Sequence, residues 1–68
     1  MKWTDIEDIA IGLQEQHPDI DPLGVHFVDL REMISQLPGW EDDIHRSNEA
    51  KLEAIQMAWL EEYRENQG

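Results

Sequence analysis

Glu41, Asp42 and Asp43 stand in a row, with His45 two positions beyond and Glu49 and Glu53 one helical turn apart after it. Hard cations such as Fe²⁺, Mg²⁺ and Ca²⁺ take carboxylate oxygens, and an imidazole adds the nitrogen donor that transition metals favour. Asp42, Asp43, Glu49 and Glu53 are therefore the candidate metal ligands. Any ion held there is expected to be shallow, exposed and weakly bound. A flexible acidic loop with no ion is the competing reading of the same residues.

Other constellations are weaker. Asp19-Ile20-Asp21 followed by Gly24 has the opening of an EF-hand loop. It fails at the fifth position, Leu23, and at the twelfth, Leu30, where a bidentate glutamate is needed. His17 falls at a helix C-terminus, where the dipole favours an imidazolium and a structural role outweighs a ligand role. Ser35, Ser47 and His45 make no triad without a pocket or an oxyanion hole. Trp3 and Trp59 read as core. Trp40, beside the acidic loop, reads as an exposed anchor for a partner. No glycine-rich phosphate loop and no basic–aromatic patch is present, and an enzyme is the least expected function.

The composition bears on partners. The chain has 68 residues, 16 acidic against 5 basic, and a formal charge of -11. A pI near 4.3 argues against nucleic acid and anionic membranes, which reward Lys and Arg, and favours cations or the basic face of another protein. Each quarter of the chain holds four of the sixteen acids, so the charge is a whole surface and not a tail. Asp5, Glu7, Asp21, Asp29, Glu32 and Glu49 lie in expected caps or first turns, where they complement a helix dipole. Glu49–Glu53 and Glu61–Glu65 are like-charge i, i+4 pairs, each costing about 0.2–0.5 kcal/mol on an isolated helix. The absence of cysteine removes thiolate chemistry and disulfide staples, and points to a reducing compartment. With no apolar signal core and no apolar run of about 18 residues, the chain is expected to be soluble and cytoplasmic.

These side chains need elements to position them. Ile6, Ile9, Ala10 and Leu13 form one helical stripe, which Thr4 and Glu7 are expected to cap as a box and Pro18 to end. Asp21-Pro22 starts a second, short helix, limited by Gly24 and Val25. Asp29 with Glu32 caps a third, carrying Leu30, Met33, Ile34 and Leu37 inward, and Pro38-Gly39 stops it. Ser47 or Asn48 caps the last and longest, with Leu52, Ile55, Trp59, Leu60 and Tyr63 on its apolar face. The expected fold is mainly α: a single domain over 1–68, four helices of modified winged-helix or helix-turn-helix type, with little or no strand.

Lys2-Trp3-Thr4-Asp5, Pro18-Asp19-x-Asp21-Pro22, Phe27-x-Asp29, Asp42-Asp43, Ser47-Asn48-Glu49, Leu52-Glu53-Ala54-Ile55 and Trp59-Leu60 occur in order and nearly end to end. This collinear set resembles the IscX (YfhJ) family. The resemblance implies a small acidic accessory factor of iron–sulfur cluster assembly with a modified winged-helix fold. It implies docking on a basic surface of the cysteine desulfurase IscS that frataxin and ferredoxin also use, and weak iron binding through acidic side chains. It implies a regulator or adaptor and not an enzyme. Of the matching carboxylates, Asp42, Asp43, Glu49 and Glu53 are assigned to iron. Asp5, Asp19, Asp21 and Asp29, with Trp40, are assigned to the partner. The chain is expected as a monomer, with a ternary complex including frataxin or the scaffold protein as one arrangement. The Pro38-Gly39-Trp40 turn departs from the more acidic, Phe-containing stretch of the family. The alternative class is an acidic mimic of nucleic acid that blocks a DNA-binding protein.

Overall fold

Apolar residues at helical spacing must bury one face, and here they bury it around a single core. The computed structural model describes residues 1–67. It holds three α-helices, α1 (Ile6–Gln16), α2 (Phe27–Ser35) and α3 (Glu49–Gln67), with 3-10 turns at Pro22–Gly24 and Ile44–Arg46. Ile9, Leu13, Leu30, Ile34, Ile55 and Trp59 are fully buried, and Trp3, Ala10, Leu37, Leu52 and Leu60 nearly so. Packing is most extensive between α1 and α3, while α2 and the first 3-10 turn close the sides. Gln56 on α3 ties that turn down, its Nε2 donating to the carbonyl of Pro22 at 2.9 Å.

The mainly helical class is therefore as expected, but the helix count is three and not four. Asp21 does cap as its sequence suggests, Oδ1 accepting the Leu23 N–H at 3.0 Å with Pro22 next in line. The chain then closes only one 3-10 turn, because Gly24 and β-branched Val25 do not propagate a helix. The described residues contain no strand, and hence no wing beside the helices.

Two caps differ from expectation. Lys2 to Asp5 form a tight turn, with Asp5 N–H on the Lys2 carbonyl at 2.9 Å. That turn plugs Trp3 into the core and moves the start of α1 past Thr4. Asp5 becomes the N-cap, and its Oδ2 accepts the Lys2 N–H at 2.8 Å instead of capping the helix. Likewise α2 begins ahead of Asp29, with His26 at its N-cap and no side-chain cap bond. Asn48 fulfils its role: Oδ1 accepts the Lys51 N–H at 2.8 Å.

Glycine matters at two places. Gly12 lets α1 approach Leu37, since a Cβ there would meet Leu37 Cδ2 at 3.3 Å. Gly39 has φ +81°, a left-handed turn that side chains resist, and it redirects the chain after α2 toward the N-terminus.

Candidate functional site

The acidic loop is held by the first residues of the chain. Met1 N donates to the Gly39 carbonyl at 2.7 Å, and Glu41 N–H returns to the Met1 carbonyl at 2.9 Å. Trp3 packs edge-on against Trp40, ring centroids 4.8 Å apart and planes 80° apart. Its indole Nε1 donates to the Asp43 carbonyl at 2.7 Å, and its backbone N–H to Asp42 Oδ2 at 3.2 Å. Aromatic packing and three hydrogen bonds thus fasten the segment 40–43 to the start of the chain.

Asp42 and Asp43 spend their carboxylates on backbone N–H groups of the loop and, for Asp42, of Trp3. Asp42 Oδ1 accepts the Asp43 N–H at 2.7 Å, and Asp43 Oδ1 accepts the His45 N–H at 2.9 Å, capping the second 3-10 turn. The Trp3 backbone N–H, then that of Asp43, holds the Asp42 carboxyl below its ordinary range, with Arg46 and Lys2 adding smaller attraction. Arg46 Nη1 lies 4.0 Å from Asp42 Oδ1.

This changes the metal reading. Asp42, Asp43, Glu49 and Glu53 are not gathered into one ligand set: among the described residues no three Asp, Glu or His side chains are placed to hold an ion together. Asp42 and Asp43 face backbone N–H groups, while Glu49 and Glu53 are exposed on α3. The donors do not fit a built iron site.

The partner residues are differently placed. Asp19, Asp21 and Asp29 are exposed and Asp5 is half-buried at the start of α1. Asp5 and Asp21 each accept one backbone N–H, while the carboxylates of Asp19 and Asp29 make no hydrogen bond or ion pair among the described residues. Trp40 is not the exposed anchor expected. It is half-buried against Trp3, with its Nε1 enclosed and unpartnered. Only two ion pairs occur among the described residues, Met1 N–Glu41 at 3.8 Å and Arg46–Asp42. The acidic exterior is therefore largely uncompensated.

Gln14 escaped the sequence reading. It is 8% exposed, and its Oε1 accepts the Trp59 Nε1–H at 3.1 Å in the core. Its position four after Ala10, on the same inward stripe, was the available signal.

Membership is decided by comparison with known proteins. The family described as iron-sulphur cluster assembly matches residues 1–64. The chain belongs to this family, IscX (YfhJ). A protein of Pseudomonas aeruginosa, described only as uncharacterized, is 55% identical over 62 residues, covering 91% of this chain and 94% of that one. The Trp3 clasp thus lies within the part of an IscX-family chain that defines the family, and the protein belongs to iron–sulfur cluster assembly. No helix among its described residues is long and apolar enough to cross a membrane.

Proposed function

We propose that the chain is a non-catalytic adaptor of iron–sulfur cluster assembly that docks by its acidic exterior on the basic surface of the cysteine desulfurase IscS. It competes there with frataxin and ferredoxin. Family membership supports the process, and one observation supports the mode: a charge of -11 with only two ion pairs among the described residues. Carboxylates without cations of their own attract cations on a partner, and steering of this kind raises the association rate. Asp19, Asp21 and Asp29 are exposed for such contact, with Asp5 beside them in the reading.

Iron enters this reading only as a weakly held cation at surface carboxylates, the exposed Asp43, Glu49 and Glu53 and the half-buried Asp42 among them. Docking passes through no metal-bound step. Titrating Fe²⁺ while following backbone NMR shifts is expected to give small, unsaturating changes; tight, saturating shifts confined to residues 41–53 would overturn the diffuse picture.

The docking itself is tested by displacement. Purified desulfurase is loaded with labelled frataxin, and this chain is added. Release of the label, weakened by Asp19→Asn and Asp29→Asn together, supports the proposal. Retention of the label at saturating chain concentration contradicts it.

A further inference from the structure

We infer that Ile20 and Leu23, on the turn between α1 and α2, are the apolar anchors of docking. They enter an apolar recess set among lysine and arginine side chains on the partner. The inference rests on the desulfurase docking proposed above and names what holds the complex once charge has steered it together.

Burial on this turn runs against size. Pro22 is fully buried, while the larger Ile20 and Leu23 that flank it in the chain are 39% and 58% exposed. Folding alone would favour the reverse, because the hydrophobic gain grows with the apolar area removed from water. Nor is the turn loose. Gln56 Nε2 on α3 donates to the Pro22 carbonyl at 2.9 Å and lies 3.4 Å from that of Val25. Asp21 Oδ1 accepts the Leu23 N–H at 3.0 Å, and the Gly24 N–H returns to the Asp21 carbonyl at 3.0 Å. Two apolar side chains are thus presented on a backbone already fixed, so little ordering entropy is lost when a partner covers them. Met57, 53% exposed, follows Gln56 on α3 and adds apolar surface one position beyond the tie.

The surrounding charge says what covers them. Asp19 and Asp21 precede Ile20 and Pro22, and both are exposed. Neither is in an ion pair among the described residues. The Asp21 carboxylate reaches the Leu23 backbone, so charge and apolar side chain share one turn. A second copy of this chain would set carboxylates against carboxylates, and a purely apolar surface would strip them of water without replacement. Lysines or arginines around an apolar recess satisfy both demands. Their head groups meet Asp19 and Asp21, while Ile20 and Leu23 displace water from the recess. Rim charge then governs mainly association, and buried apolar contact mainly dissociation.

The test is a rate measurement on the full chain with purified desulfurase at low salt. Leu23→Ser is expected to speed dissociation about five- to thirtyfold and Ile20→Thr about two- to tenfold, with association within about twofold of native. Leu23→Met keeps an apolar side chain and is expected to hold dissociation within about threefold of native. Asp19→Asn should do the opposite, chiefly slowing association. Thermal melts of both Leu23 variants should match the native chain, because that side chain is already mostly in water. Unchanged dissociation in both Leu23→Ser and Ile20→Thr, or an equal loss in Leu23→Met, would overturn the anchors and leave charge-driven docking intact. No binding by the native chain would overturn both.

Discussion

The indole Nε1 of Trp3 donates to the carbonyl of Asp43 at 2.7 Å, joining the start of the chain to the loop that follows α2. With the Trp3–Trp40 contact and the Trp3 N–H on Asp42, it makes the acidic loop part of the folded core. Trp3→Phe keeps an aromatic ring but removes the indole donor and some volume. Unfolding in urea is expected to show a loss of about 1–3 kcal/mol, with faster hydrogen exchange at Asp43 and His45.

Asp42 makes the clasp dependent on pH. Its folded carboxyl titrates below the ordinary value of 3.8, chiefly because of the Trp3 N–H. A depressed carboxylate contributes stability above its unfolded pKa and loses it as pH falls through the folded one. The stability gap between the native chain and Asp42→Asn should therefore be full above about pH 4 and close at lower pH. Denaturant midpoints of both proteins between pH 6 and about pH 2 read this directly.

In the core, Gln14→Met removes the acceptor of Trp59 at similar side-chain volume. The buried indole N–H is left unpaired, at a cost of about 1–3 kcal/mol. Indole fluorescence and thermal melting should register both the loosened Trp59 and the lower midpoint.

Repulsion predicts the opposite sign elsewhere. Glu61→Gln removes one like-charge pair with Glu65 and should stabilise α3 by about 0.2–0.5 kcal/mol. Added salt should likewise raise the melting temperature of the native chain, because screening relieves a charge of -11. Circular dichroism melts at low and high salt check both.

The stripes of Ile9 and Leu13, Leu30 and Ile34, and Ile55 and Trp59 were legible because helical periodicity is a local property of sequence. The cap of the last helix was legible only as Ser47 or Asn48, and it is Asn48 that provides it. The segment after Asp21 was not legible, since an Asp-Pro start is the same for one 3-10 turn as for a helix. The Thr4 cap failed because burying Trp3 decides where α1 begins, and that is a tertiary demand. Trp40 was misplaced for the same reason: its partner, Trp3, lies at the other end of the first two helices. Carboxylates could be counted from sequence, but their aim could not. Asp42 and Asp43 turn to backbone N–H groups that only the folded loop presents.

The central claim is that uncompensated surface charge docks the chain on a basic face of the cysteine desulfurase, and its most direct test is the salt dependence of that binding. Kd for the purified pair, measured by calorimetry at about 50 and 300 mM salt, should rise on the order of tenfold with most of the change in association rate. An affinity that is unchanged across that range, or no binding at low salt, would contradict the account.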